Sequence, residues 1–559
     1  MDALAARPSV GAGRVTARAI PTALREAAAA GSGALVFHLA GGAVRWSGAD
    51  LVDAAEVAAG VLAAIGVGPG RRVGLVGPTD PRWVVAALAV WRLGAVLVPL
   101  PLPITRRDAA RLEEATALAR IADCALVLAP PAMLGHLPTG QGVDWTLAGR
   151  GARALPAPPD AEALAVIQFT SGSTAAPKAV RLRHRAVVDT VRATAASLDL
   201  VAGRDRLLGW LPLFHDYGLF GFVVRALVVG MECHLLPTER FAADPALWLR
   251  LIGDTGATMT AGPTSGWGHA VRLAEASGAP VRLDSLRAAV MAAEAIDPAV
   301  VDRVLAYGQS RGLAGGALSG AYGLAECTLG VTGVPAGGGM RVLALDRERL
   351  ARDGLAVVTA VNPRRVASCG RPMRDTEVRV VGTEGTRPDG VIGEIEVRGP
   401  GLMDGYLSTG GAGEAASPFR DGWLRTGDLG FLDRGELFVT GRSKDLVIVL
   451  GRNLHPEDME QTAAAVAGVR AGRVVAFAAP EGGAGEGAPV VLVEPTTDAP
   501  GDLAARVRRA VADGAGVLPS VVVVPPGTIR KTTSGKQRRA HMREWLASRR
   551  VAVHPSDPP

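Results

Sequence analysis

The sequence predicts an α/β protein: a large N-terminal domain of parallel α/β sheets with a small β subdomain, followed by a small α+β C-terminal domain. Three observations carry that reading. Over the first four-fifths of the 559 residues, short apolar runs alternate with segments of helical spacing. Around residues 370–440 the texture changes to short alternating strands punctuated by glycine, and after Lys444 a strand, a turn and a helix begin again. Alternating strand and helix buries parallel sheets under helices on both faces.

The elements follow in order. "RRVGLVG" is a short apolar run, "DPRWVVAALAVWRLG" has helical spacing, and "AVLVPL" is apolar and β-branched again. The same grammar returns at "LAVIQFT", a Ser/Thr/Gly loop, and "HRAVVDTVRATAASL", which places that loop between a strand and a helix. "TEVRVVG", "GEIEVRG" and "GELFVTG" predict the β subdomain, with "STGGAGEAAS" as an exposed loop within it. "LVIVLGRNLHPEDMEQTAAAV" predicts strand, turn and helix. The expected boundaries are an N-terminal domain over 1–443, a C-terminal domain over 444–549 and a disordered tail over 550–559. No internal repeat is visible.

Composition narrows the function class. Hydrophobic content of 48% and charged content of 20% fit a soluble globular chain. A net charge of +6 is small for this length, and no basic tract is interleaved with aromatics, so nucleic acid is not the expected partner. The four cysteines lie far apart without CxxC spacing, which predicts neither zinc nor a disulfide framework and favours a reducing, cytoplasmic setting. The N-terminus lacks the apolar core of a secretory signal, and "FGFVVRALVVGMECHLL" is broken by Arg225 and Glu232 short of the ~20 residues that span a bilayer, so no membrane association is expected.

The basic residues are unevenly chosen. Of 60, only four are lysine: Lys178, Lys444, Lys531 and Lys536. Arginine replaces lysine at most solvated positions, but not where a compact point charge must meet a phosphate or carboxylate oxygen. The four lysines fall in segments that carry other signals. "FTSGSTAAPKAV" supplies the hydroxyls of Thr170, Ser171, Ser173 and Thr174, the flexible Gly172 and the ammonium of Lys178, an anion cradle in type. It lacks Walker A spacing, and a Ser/Thr/Gly loop by itself is more often a polar turn. "IRKTTSGKQRR" is either an exposed basic turn or a loop that carries a cation into a distant site.

Other motifs leave similar pairs of readings. Asp428 in "GWLRTGDLGFL" sits between glycines at the end of an extended segment, as a ribose ligand or a turn residue. Tyr322 and Glu326 in "AYGLAECT" share a face if that stretch is helical, the aromatic suited to a purine and the carboxylate to Mg²⁺ beside phosphate oxygens. His215 in "LPLFHDYGL" has an aromatic setting of Trp210, Phe214 and Tyr217.

Taken in order, "FTSGSTAAPKAV", "WLPLFHDYGL", "AYGLAECT", "WLRTGDLGFL", "GRSKDLVIVLGRN" and "TTSGKQRR" resemble the motif series of the adenylate-forming, AMP-binding superfamily of acyl and aryl ligases. The resemblance is closest to fatty acyl-AMP ligases, through "YGLAECTLGVT", "KDLVIVLGRNLHPEDME" and a stretch similar to the insertion of such ligases, "MRVLALDRERLARDGLAVVTAVNPRRVASCGRP". It implies a mobile C-terminal domain swinging about a hinge. It also implies ATP and Mg²⁺ as cofactors, a carboxylic acid converted to acyl-AMP with release of pyrophosphate, and an acyl carrier protein whose phosphopantetheine thiol takes the acyl group. Carried onto matching positions, Thr170 to Thr174 and Lys178 hold phosphates, Tyr322 between Ala321 and Gly323 stacks on adenine, and Glu326 binds the metal. Asp428 holds the ribose and Arg442 assists there. Lys444 is the hinge, Lys536 the adenylation lysine, and His215 flanks the substrate carboxylate. The alternatives are acyl-CoA formation and ATP-dependent activation of nitrite.

The chain departs from the family pattern at three places. Ala175 and Ala179 stand where glycine is common, "VMAAEAI" with Ala293 and Glu294 differs from an "NGAEPV"-like segment, and Trp267 falls where the acyl pocket is lined. A tryptophan there predicts a short or compact acid, unless it belongs to the core.

Overall fold

The computed structural model describes residues 17–102, 109–137, 140–147, 154–170, 177–278, 280–408, 417–449, 451–480, 487–530 and 537–548. Ser171, Gly172, Ser173, Thr174, Lys531, Lys536, most of the "STGGAGEAAS" loop and the C-terminal tail lie outside the described residues.

Two sheets dominate the N-terminal domain. The first runs in the order Gly142–Asp144, Leu126–Ala129, Arg72–Leu75, Val96–Pro99, Leu164–Thr170, Lys178–Arg183, and only its last pair is antiparallel. The second has nine strands, with a parallel centre formed by Ala34–Leu39, Glu232–Leu235, Arg206–Gly209, Met259–Gly262, Ala288–Met291 and Leu318–Gly323. Helices cover the sheets because their apolar stripes have nowhere else to go. In Pro81–Arg92, Asp80 caps the first turn by accepting from the Arg82 N–H at 2.9 Å, proline occupies the first turn, and Trp83 and Trp91 are fully buried.

The sequence reading placed the Ser/Thr/Gly loop between strand and helix. Instead it joins two antiparallel strands, with Thr170 opposite Lys178, and the helix His184–Ser197 starts only after the second strand. "KAVRLR" escaped notice because three of its six residues are charged. Its Val180 and Leu182 are nonetheless fully buried, alternating with Arg181 and Arg183 on the other face.

The β subdomain forms as expected from Glu377–Gly382, Gly393–Arg398, Trp423–Asp433 and Glu436–Arg442, all antiparallel. The stretch read as an insertion is a hairpin, Val342–Leu345 with Arg364–Ala367, carrying the helix Arg347–Asp353. Its Leu345, Leu350 and Val366 pack on Phe431 and Phe438 of the β subdomain. Its Ala351 joins the C-terminal cluster of Val447, Leu454 and Met459.

The smaller C-terminal domain contains the hairpin Val447–Val449 with Arg452–Leu454, the sheet Val469–Ala478, Pro489–Pro495, Ser520–Val523, and the helices Pro456–Ala464, Leu503–Ala515 and Arg539–Ser548. Among the described residues no helix is long and apolar enough to cross a membrane.

Candidate active site

The hairpin Leu164–Thr170 with Lys178–Arg183, whose connection carries the Ser/Thr/Gly motif, is stitched to a distant segment, 403–407. Val180 bridges Tyr406, and the main chain at Arg181 exchanges hydrogen bonds with Asp404 and Gly405. Asp404 takes ion pairs from Arg181 at 2.6 Å and from Arg183. This brings the Tyr406 ring beneath Lys178, whose Nζ lies 4.6 Å from the ring centroid and 3.4 Å from the phenolic oxygen. The same hydroxyl donates to Glu326 Oε1 at 2.8 Å. Lys178, Tyr406 and Glu326 therefore form one polar chain. Burial and the Glu326 carboxylate together raise the Tyr406 phenol, so it stays a donor.

Tyr322 and Glu326 do not share a helix. Tyr322 is the penultimate residue of the strand Leu318–Gly323, and Glu326 sits in a single 3₁₀ turn, Ala325–Cys327. The strand must pass close to the returning chain, and a Cβ on Gly323 would collide with the carbonyl oxygen of Leu329. The Met403 N–H fixes the turn by donating to the Glu326 carbonyl at 2.9 Å.

Asp428 is the second centre. It lies within the long strand Trp423–Asp433 rather than at its end, opposite Arg442, where the ladder carries a bulge. Its Oδ2 accepts from the Tyr322 hydroxyl at 2.6 Å and its Oδ1 from Arg442 Nε at 2.8 Å. Asp428 is 5% exposed, so both contacts are made in low dielectric. The Asp428 carboxylate raises the Arg442 guanidinium, while burial and then Asp428 push the Tyr322 phenol well above its ordinary range.

His215 follows the strand Arg206–Gly209 and lies 3.6 Å from Asp216. The adjoining Pro212, Leu213 and Phe214 line a cavity of about 190 Å³ together with Thr79, Leu102 and Glu239, residues that follow parallel strands of both sheets. Crevices outside the carboxyl ends of such strands are where α/β sheets hold ligands. Trp267 is not among the residues lining it. That side chain is 1% exposed, tilts against Trp248 at 4.4 Å and donates to the Val290 carbonyl at 3.2 Å, so it is a core residue. Ala293 follows the strand Ala288–Met291 with φ +72°, a strained value for a residue with a Cβ, and Glu294 accepts from the Ser265 N–H.

A family model described as AMP-binding enzyme matches residues 24–407. The chain belongs to the AMP-binding enzyme family. Rv1013 of Mycobacterium tuberculosis is 34% identical over 89% of this chain and 94% of its own. The medium-chain-fatty-acid–[acyl-carrier-protein] ligase JamA of Moorena producens is 31% identical, covering 85% of each chain. A solved structure from a study of fatty acyl-adenylate ligases of E. coli and L. pneumophila superposes with a TM-score of 0.86 at 27% identity, covering 95% of this chain and 98% of that one. This AMP-binding enzyme is thus an adenylate-forming acyl or aryl ligase that uses ATP and a carboxylic acid.

In this AMP-binding enzyme Lys444 lies in the turn Ser443–Asp445, which leads from the β subdomain into the C-terminal domain. Burial and the neighbouring Arg442 lower its ammonium. Beyond the turn, Arg539 pairs with Asp445 at 3.2 Å and with Glu457 and Glu460 at 2.8 Å each. Arg538, two residues after Lys536, pairs with Glu114 of the N-terminal domain at 3.2 Å.

Sequence reasoning missed Tyr406 and Asp404, because "MDGYL" carries no motif. A scarcity signal was present. The chain has four tyrosines, and two of them, Tyr322 and Tyr406, are bonded to the two carboxylates of this site.

Proposed function

We propose that this ligase activates a fatty acid to acyl-AMP, releasing pyrophosphate, and passes the acyl group to the phosphopantetheine thiol of an acyl carrier protein. With Trp267 in the core, the sequence no longer favours a short or compact chain. The observation that carries the reading is the pair of carboxylates. Asp428 is gripped by Tyr322 and Arg442, and Glu326 is tied through Tyr406 to Lys178. One end then suits a nucleoside, with Asp428 accepting ribose hydroxyls and Tyr322, flanked by Ala321 and Gly323, facing adenine. The other suits phosphates, with Thr170 to Thr174 and Lys178 as donors.

Attack on the α-phosphorus builds negative charge that fixed cations must meet, so catalysis here is positioning plus electrostatics. Lys536 is assigned that role, brought in by rotation of the C-terminal domain, 444–549, about Lys444 against the N-terminal domain, 1–443. His215, beside the cavity, flanks the acid's carboxylate, and Ala293 and Glu294 are assigned to the acid's site although neither is among the residues lining that cavity. Mg²⁺ fits Glu326. Among the described residues there is no cluster of three or more His, Cys, Asp or Glu ligands, so the carboxylate would share the ion with phosphate oxygens and water, the usual mode for Mg²⁺. When bound, the ion neutralises phosphate charge.

The carrier protein as acceptor is supported by JamA, whose name specifies one. The four unpaired cysteines support a reducing, cytoplasmic setting. The deciding experiment is exchange of labelled pyrophosphate into ATP across a panel of acids, followed by mass spectrometry of a phosphopantetheinylated carrier protein. Exchange with a fatty acid and a carrier adduct are expected. Silence across the panel from folded protein overturns the reading, and acyl-CoA forming as fast as the loaded carrier reassigns the acceptor.

A further inference from the structure

We propose that Glu494, with Arg473, is a positioning residue for adenylation, holding the root of the loop that carries Lys536. The inference rests on the assignment of Lys536 as the adenylation lysine. Glu494 lies on the strand Pro489–Pro495 and is fully buried. Its Oε1 accepts the main-chain N–H of Ile529 at 2.8 Å. Arg473, on the neighbouring strand Val469–Ala478, donates from Nη1 to the carbonyl of the same Ile529 at 2.9 Å, and its Nε lies 3.9 Å from Glu494 Oε2. Arg470 approaches that oxygen at 3.4 Å. One ion pair thus binds both polar groups of one residue's main chain.

That residue stands at the start of the loop. The Ile529 side chain is 1% exposed and packs with Phe477, Leu492, Met542 and Leu546, so it is pinned by core and by charge together. Immediately beyond it, the Arg538 N–H donates to the Arg530 carbonyl at 3.2 Å. Gln537 reaches the Gly472 carbonyl at 3.4 Å. Lys536 lies between Arg530 and Arg538 in the sequence, outside the described residues.

A carboxylate buried among sheet residues is expensive, and an apolar side chain of similar volume would hold the strands together as well or better. What an apolar side chain cannot do is accept the Ile529 N–H. Anchoring the main chain where a short segment leaves the core limits how far that segment can stray from it. A displacement of about 1 Å at a reacting centre is enough to cost on the order of 100-fold in rate.

The test is kinetic, on the full-length enzyme, with acyl-AMP formation followed by pyrophosphate release. Glu494→Ala is expected to lower kcat by roughly 10- to 100-fold while the KM for ATP stays within about twofold. Glu494→Gln, which keeps an acceptor for Ile529, recovers most of the rate, and Arg473→Met gives a partial loss. Because Glu494 acts through Lys536, Glu494→Ala added to Lys536→Ala causes no further loss. An unchanged kcat in Glu494→Ala overturns the proposal, as does a loss that multiplies with Lys536→Ala or a Gln variant as slow as Ala. Should the alanine variant fail to fold, the Gln and Arg473→Met rates decide by the same criteria. If Lys536→Ala itself keeps the wild-type rate, the assignment of Lys536 falls and this inference falls with it.

Discussion

The Tyr406 hydroxyl donates to Glu326 across 2.8 Å while lying 3.4 Å from the Lys178 ammonium. A single phenol therefore sets the distance between the cation proposed for phosphate and the carboxylate proposed for metal. Tyr406→Phe keeps the ring under Lys178 and deletes only the hydroxyl. A hydrogen bond to a charged group is worth about 1.5–3 kcal/mol, so kcat/KM for ATP should fall by roughly 10- to 100-fold. Steady-state pyrophosphate release measures this, and an unchanged value would remove Tyr406 from the site.

Asp428→Asn should weaken ATP binding more than it slows chemistry. The amide loses its charge attraction to Arg442 at 2.8 Å and leaves the guanidinium beside a neutral group. Arg442 is about two-fifths exposed, so solvent screens part of the loss, and ~1–3 kcal/mol is expected rather than the full penalty of a buried orphan charge. Calorimetric titration with a non-hydrolysable ATP analogue is the check.

Arg364 ties the inserted hairpin to the C-terminal domain, pairing with Asp458 at 2.8 Å and donating to the Thr440 carbonyl at 2.9 Å. Its side chain is 9% exposed and that of Asp458 18%, so Arg364→Ala leaves a buried carboxylate unpaired, a defect of about 3–5 kcal/mol. Hydrogen exchange should accelerate across Pro456–Ala464 and in the hairpin Val447–Leu454, and not in the sheets of the N-terminal domain. Exchange rising uniformly through the chain would contradict a local tie.

The fold should lose stability in mild acid. Burial lowers His184 to about 3 and His234 to about 4, and it holds His455 well below the usual histidine range. All three are neutral in the folded protein and take up protons on unfolding below about 6.5. Their contribution is intact above that pH and is lost as pH falls toward 4, at on the order of 3 kcal/mol for His234 alone. Melting temperature against pH should drop through this window, and His234→Phe should flatten the drop.

Trp267→Ala separates core from pocket. The side chain fills a cluster with Trp248, Ile252 and Met291, so truncation should cost about 3–5 kcal/mol of stability. The preferred chain length of the acid should not move. A shift toward longer acids with an unchanged melting temperature would return Trp267 to the acyl pocket.

The candidate site was legible where an uncommon residue type or a glycine-flanked carboxylate stood inside a motif. Lysine scarcity marked Lys178 and Lys444, glycine-flanked Asp428 marked itself, and the order of motifs carried the fold, because alternating strand and helix admits few architectures. Two local readings failed for physical reasons. "KAVRLR" hid a strand because its outward face is charged to meet Asp404, and "AYGLAECT" broke its helical spacing because the strand runs on to Tyr322 before turning. Tyr406, Asp404 and Glu494 were invisible, since their roles exist only in contacts with residues far away in the chain.

By itself, then, the sequence determined the α/β class, the β subdomain and the small C-terminal domain, and it singled out the residue types from which the candidate site is built. Periodicity and side-chain chemistry are local properties, and local properties survive in one dimension. Only the tertiary structure decided which carboxylate meets which phenol, that Trp267 is core, and that the insertion bonds to the C-terminal domain. Those facts depend on closing loops of tens to hundreds of residues, and no window of sequence contains both ends.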